Sequence, residues 1–418
     1  MPLLIRRARV LTLAPASSPA ADTAAATAAL TRPRRGAALR ELGVLPRGDV
    51  LVEGDKIAAV GPELPVPPGA EVLDAEERVL LPGFVDCHTH ACHVGDVLGD
   101  WERELAGASA AEIETAAGGL PAAVRAVRAA TRKQIAAGLR VRLDTLLRAG
   151  TTTAEVKSGL GLNSDAERKL LGGIQRAASE WPGAVVPTAC LGHAVEGDVA
   201  AFTRLIVREV LPEVWHEFPG LAIDARCAAD AWPVEACVRL LDRARKHGLP
   251  IRVSADQHAS TGMVPEALAL HARSIDHLEH ASKADLQALA ASETFGVMLP
   301  AASFHTGNRY ARAGAFVDSG GLLALASDFG PATAPSASMP FVIALAVRHC
   351  GLTVAEAITA TTVNAAAALG LADRGVIAPG LRADLVLLRH TDERQLAHEF
   401  GDNPVERVVC AGRLLPRG

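Results

Sequence analysis

The sequence predicts an α/β protein: a (β/α)8, TIM-like barrel with a small β-sandwich formed by both chain ends. Three observations carry that expectation. From about residue 78, short apolar runs alternate with helix-length amphipathic stretches, the pattern of a parallel sheet with helical crossovers. Both ends of the chain return to short β-like runs. Polar residues fall repeatedly at the C-terminal ends of the predicted strands, which in a closed parallel barrel meet at one mouth. The alternation alone leaves the sheet open or closed; the strand-end residues favour closure. The expected domains are 1–77 plus 374–418 for the sandwich and 78–373 for the barrel.

Taken in order, Asp49–Val52 and Ile57–Val60 read as strands around the turn Glu53-Gly54-Asp55. An Ala/Ser/Pro/Thr tract from Ala14 to Pro33 reads as a loose surface loop, followed by the charged stretch Arg34–Arg47. Val79–Val85 is a strand running into Asp86-Cys87-His88-Thr89-His90. A helix follows with Ile135, Leu139, Leu143 and Leu146 on one stripe and Gly150 just past its end. Thr151–Val156 is the next strand, and Ser164-Asp165-Ala166-Glu167 reads as a capping box. Further strands are Ala184–Ala189, Ile251–Ser254, Ser274–Leu278, Phe295–Leu299 and Leu322–Ala326, with a helix over Val234–His247 that stops at Gly248. Thr353-Val354-Ala355-Glu356 opens a late helix, and Ala383–Leu388 and Val405–Leu414 are β-like.

Composition narrows the partners. With 418 residues, 49% of them hydrophobic and 3% aromatic, the core must be filled mainly by Ala, Leu and Val. A net charge of −5 without a long basic run argues against nucleic acid. No apolar stretch approaches the ~20 residues of a bilayer span, and the N-terminal charges follow the apolar residues, the reverse of a secretory signal. The seven cysteines are odd in number, scattered and free of any C-x2-C pair. That pattern suggests free thiols in a reducing cytoplasm.

The chemistry lies in His88, His90, Lys157, His193, Gln257, His277 and Asp328, each at or just after a strand end. His88 and His90, at i and i+2, point to one face and can grip one ion at ~2.0–2.1 Å, or simply meet water. Asp328 can bind a metal and accept a proton from its water. It could instead cap a helix, but Phe329-Gly330-Pro331 favours a loop. His277 suits proton transfer near neutral pH, or a satisfied structural role. Lys157 is either carboxylated to bridge two metals or, the commoner use, a structural or substrate-binding ammonium. Cys92 and His93, close behind the His pair, either reach the mouth or, the commoner case, line a loop.

These residues sit in runs that resemble imidazolonepropionase, of the amidohydrolase superfamily. The runs are Arg35-Gly36-Ala37-Ala38-Leu39-Arg40-Glu41-Leu42-Gly43, Pro82 to His90, and Glu155-Val156-Lys157-Ser158-Gly159. Ala255-Asp256-Gln257, Asp276-His277-Leu278, Ala326-Ser327-Asp328-Phe329 and Asn403 to Val408 continue the match. The resemblance implies a mononuclear zinc or iron site that opens the ring of 4-imidazolone-5-propionate. It makes His88, His90 and Asp328 metal ligands, His277 the proton carrier, and Gln257 and His193 neighbours of the substrate. It also implies a homodimer.

The departures are as informative. The family's third histidine ligand falls at Ser254, its carboxylate-clamping arginine at Val97, and two substrate-contacting tyrosines at Ala110 and Leu160. Losing a charge-assisted clamp costs roughly 1.5–3 kcal/mol, so a less anionic or differently shaped substrate is expected. His258, four residues past Ser254, is a candidate to replace the missing nitrogen; His277 moving inward is another.

The resulting expectation is a hydrolase that opens a cyclic amide or amidine C–N bond, run in that direction or in ring closure. It would use one divalent metal, zinc ahead of iron, on a small cyclic substrate. Three rivals stand beside it. A deaminase would use the same site on an exocyclic amine. Ordinary imidazolonepropionase activity would need Arg132 or Arg309 to take the carboxylate. A metal-poor paralogue would serve as a binding or scaffold protein.

Overall fold

The computed structural model describes residues 1–15 and 24–416. Five strands open the chain: β1 (Leu3–Leu11), β2 (Val44–Glu53), β3 (Lys56–Gly61), β4 (Glu71–Asp74) and β5 (Val79–Pro82). Eight follow at the rhythm of a barrel: β6 (Phe84–Asp86), β7 (Thr151–Lys157), β8 (Ala184–Gly192), β9 (Ala222–Arg226), β10 (Ile251–Ala255), β11 (Ser274–His277), β12 (Phe295–Met298) and β13 (Leu322–Leu325). The chain closes with β14 (Leu385–Leu388), β15 (Val405–Cys410) and β16 (Arg413–Leu414).

Strands β6 to β13 pair in sequence order, every neighbour parallel. The circle is completed just beyond the strand ends. The Asp328 N–H donates to the His88 carbonyl at 3.1 Å, and the His90 N–H donates to the Phe329 carbonyl at 2.9 Å. Asp86, at the end of β6, also accepts from the Ser327 N–H at 3.0 Å and from its hydroxyl. The first and last strands are therefore joined where His88, His90 and Asp328 sit.

The second sheet runs β16-β15-β14-β5-β1-β2-β3, with β4 also on β1. It draws on both chain ends and has an apolar cluster of its own, including Ile5, Val10, Val52, Ile57 and Leu385. The run Val79–Val85, read as one strand, is divided at Gly83 between this sheet and the barrel. A Cβ at Gly83 would collide with the Thr152 side chain, so the crossing point admits only glycine.

Local sequence explains the helices. Ile135, Leu139, Leu143 and Leu146 are buried on the helix Arg132–Arg148, which opens with a Thr131/Gln134 capping box. The helix Val354–Ala360 has its expected Thr353/Glu356 box. Two expectations need correction. The cap at Ser164 is supplied one residue earlier, by Asn163 accepting from the Ala166 N–H at 2.9 Å, because Glu167 is occupied elsewhere. Part of the Ala14–Pro33 tract is the helix Ala24–Leu30, anchored by buried Leu30 and Thr31, while residues 16–23 lie outside the described residues. Strand β9 was not foreseen at all.

Candidate metal centre and active site

His88, His90 and Asp328 form one group of potential ligands, their donor atoms all within 4.8 Å of one another. Asp328 Oδ1 lies 3.6 Å from His88 Nε2 and 3.7 Å from His90 Nε2. Among the described residues, His88 Nε2 is buried without a hydrogen-bond partner, and the buried Asp328 carboxylate has only the Thr333 side chain against it. Three lone-pair donors aimed at one another, without a proton to share, are a costly arrangement for which a cation supplies the missing partner. The residues fit a divalent metal.

Their protonation states agree. Burial drives the His88 and His90 pKa values well below the ordinary imidazole range, leaving neutral rings with free lone pairs. Burial pushes the Asp328 carboxyl up to about 6, with His277 opposing. His88 Nδ1 donates to Asp276 Oδ2 at 2.6 Å, which leaves Nε2 for a metal. Arg252 Nη2 donates to the same Asp276 oxygen at 2.9 Å. Neither Asp276 nor Arg252 was assigned a role from sequence, since their partners come from distant strands.

His277 ends β11 with its ring centroid 5.8 Å from that of His88. Its Nδ1 faces Glu279 Oε1 at 3.3 Å, leaving the other ring nitrogen for the site. Burial lowers its pKa, but Glu279 and Asp328 outweigh burial and the net shift is upward. His277 and Asp328 both hold left-handed backbone, with φ of 81° and 57°. Such strain persists only where the surroundings impose it. His193, half-buried, has its ring centroid 5.2 Å from His90, and burial lowers its pKa to about 4.

The other expected residues divide. Lys157 is fully buried beneath the mouth, where Nζ donates to Glu155 at 3.0 Å and Asp224 at 2.6 Å. Two carboxylates hold it as an ammonium, which corrects the carboxylated and substrate-binding alternatives alike. His258 does not join the three-donor group. The chain turns at Asp256, whose carboxylate takes the Thr261 N–H and hydroxyl, and this turn leaves His258 exposed. Ser254 stays inside β10, paired in register with Arg226 and Asp276. Gln257 is buried beside it, its backbone carbonyl accepting from Asn308.

Val97 lines a cavity of about 490 Å³ with His93, Trp101, Arg142, His305 and Phe329. Leu160 is half-buried in a loop whose N–H groups at Gly159, Gly161 and Leu162 are gathered by the Glu167 carboxylate. Ala110 begins the helix Ala110–Thr115, and its side chain lies outside the described residues. Arg132 is exposed on an outer helix, too peripheral to clamp a substrate. Arg309 is exposed, and its Nε donates to the Glu279 carbonyl.

Comparison with known proteins comes to the same place. Residues 79–415 match the model of the amidohydrolase family. The chain is 39% identical to imidazolonepropionase of Deinococcus radiodurans over 383 residues, covering 92% of this chain and 96% of that one. It is 40% identical to imidazolonepropionase of Rubrobacter xylanophilus over 396 residues, covering 92% and 95%. Among solved structures, N-isopropylammelide isopropylaminohydrolase of Burkholderia multivorans superimposes with a TM-score of 0.69 at 19% identity, covering 99% and 98%. The zinc complex of atrazine chlorohydrolase from Arthrobacter aurescens gives a TM-score of 0.69 at 17% identity, covering 99% and 95%.

Proposed function

The chain belongs to the amidohydrolase family, and from that premise we propose that His88, His90 and Asp328 hold the ion of an imidazolonepropionase-like hydrolase. The protein is a metal-dependent hydrolase of a cyclic amide C–N bond in a small-molecule substrate. The observation that carries the site assignment is the convergence of the His88, His90 and Asp328 donor atoms within 4.8 Å of one another, with His88 Nε2 and the Asp328 carboxylate buried. A divalent ion held there supplies Lewis acidity toward the ring carbonyl and water activated at neutral pH. We assign zinc ahead of iron, because two imidazoles and one carboxylate with an open position form a familiar catalytic zinc set.

The chain's own groups then divide the work. Asp328, its carboxyl raised by burial, accepts the proton of the attacking water. His277, backed by Glu279, delivers a proton to the ring nitrogen as the C–N bond breaks. Asp276 and Arg252 fix the His88 ring. His193 and Gln257 border the substrate. The same groups serve ring closure in reverse, because the transition state is shared.

We propose a substrate other than imidazolonepropionate bound in the family's manner. Val97 and Leu160 offer no hydrogen bond to a carboxylate, and the cavity beside Val97 is walled by Trp101 and Phe329. The seven free, buried cysteines support a reducing, cytoplasmic setting. The test is to load the purified protein with zinc and present 4-imidazolone-5-propionate beside other five- and six-membered cyclic amides and amidines, with and without an acidic arm. Loss of ring absorbance without ammonia release is expected, faster on a ring other than imidazolonepropionate. Ammonia as the product would make it a deaminase, and no ring opened at all would remove the hydrolytic reading.

A further inference from the structure

Strand β9 ends in Arg226, a residue the mechanism above leaves unused. Asp224, two residues earlier, sends its carboxylate to Lys157 inside the barrel at 2.6 Å. Residues at i and i+2 of a strand share a face, so Arg226 points inward as well, one pleat nearer the mouth. It is paired in parallel register with Ser254. Its charge helps to lower the pKa values of both His193 and His258, which brings it electrostatically to the side of the mouth where those imidazoles lie.

The hydrogen bonding of the guanidinium is one-sided. Nη2 donates to both oxygens of Asp230, at 3.0 and 2.7 Å, and the Asp230 side chain is 68% exposed. Among the described residues, Nε and Nη1 of Arg226 make no hydrogen bond. Arg142, in the cavity beside Val97, is instead tied back to the Ala91 carbonyl at 3.1 Å, and Arg309 to Glu279. A guanidinium steadied through Nη2 and open at Nε and Nη1 keeps two charge-assisted donors, pointing different ways, for an acceptor at the mouth.

Resting on the cyclic-amide reading, we propose that Arg226 is the specificity-determining residue that receives an acidic arm of the substrate. The arm docks on the β9 side of the mouth beside Ser254, rather than beside Val97. The ring then lies over the donors of His88, His90 and Asp328 in an orientation set from Arg226.

The experiment measures binding of hydantoin-5-acetate and its carboxamide to the zinc-loaded protein by calorimetry. The two differ only in the charged group, so their ratio isolates recognition of the arm. Tighter binding of the carboxylate by about ten- to a hundredfold is expected. Arg226→Gln should abolish that ratio while the carboxamide binds as before, and Arg226→Lys, which keeps the charge without the guanidinium donors at Nε and Nη1, should restore part of it. A merely structural role would weaken both compounds together. Equal loss of both, or a carboxylate preference that survives Arg226→Gln, overturns the assignment; should that variant not fold, an undiminished preference in Arg226→Lys does so. If the native protein binds the two equally, Arg226 has no such role. If it binds neither and opens no ring, the cyclic-amide reading itself falls.

Discussion

Inside the barrel, Lys157 meets Glu155 at 3.0 Å and Asp224 at 2.6 Å, and Arg252 meets Asp276 at 2.9 Å. One layer toward the mouth, His88 Nε2 is as deeply buried with no hydrogen-bond partner, and among the described residues the Asp328 carboxylate has two imidazoles but no Lys or Arg within ion-pair reach. Asp276 joins the two layers, taking both Arg252 from the inner layer and His88 from the outer one. Charges that are buried and paired hold the barrel's shape. Single inner atoms (Asp224 Oδ1, Arg252 Nη1 and Asp276 Oδ1) are unpartnered too, but each of those side chains is answered by an opposite charge through another atom, which the Asp328 carboxylate is not among the described residues.

Substitutions can break that division. Asp328→Asn should reduce turnover by about a thousandfold or more while urea unfolding stays near native. A large loss of stability instead would move Asp328 into the structural layer. Lys157→Met should do the converse, leaving Glu155 and Asp224 buried without their cation. A loss of about 3–5 kcal/mol in urea unfolding is expected, and activity lost at full stability would show that Lys157 acts in the site.

Two milder experiments sharpen the boundary. Removing the ion with a chelator should stop turnover and lower stability by about 2.7 kcal/mol relative to protein with free ion at a hundred times its dissociation constant. Zinc added back should restore both, whereas a melting temperature indifferent to zinc would deny the outer layer its cation. The smallest effect concerns acid. The folded-state pKa of His193 is lowered to about 4, so below its ordinary value of 6.5 the unfolded chain takes up a proton that the folded one refuses. Its contribution is therefore present above pH 6.5 and lost as pH falls toward 4. His193→Asn should flatten the decline in urea stability between pH 7 and 5 by about 1–2 kcal/mol. An unchanged slope would mean that His193 is solvated.

The outer layer was the more legible in sequence. His88, His90, His277 and Asp328 are chemically distinctive and sit at the ends of apolar strands, so the topology alone brings them together. The inner layer was not, because a buried charge is recognisable only beside its partner, and Asp276 meets His88 from 188 residues away. Strand β9 was missed for the same reason. Its inward residues Asp224 and Arg226 are polar, which leaves Ile223 as its one large apolar side chain. The Ser164 cap failed where two acceptors competed, and Asn163 took the helix while Glu167 took the preceding loop. Lys157 and His258 carried plausible chemistry, but two carboxylates and one turn settled their environments.

The barrel's seam has a consequence for synthesis. Two of the three donors follow β6 and the third follows β13, with hydrogen bonds between Asp328 and His88 and between His90 and Phe329 drawing the ends together. A chain emerging from the ribosome cannot assemble the donor set until its last barrel strand has arrived. Copies that stop before Asp328 thus lack the third donor and could not close the group of His88, His90 and Asp328 around an ion.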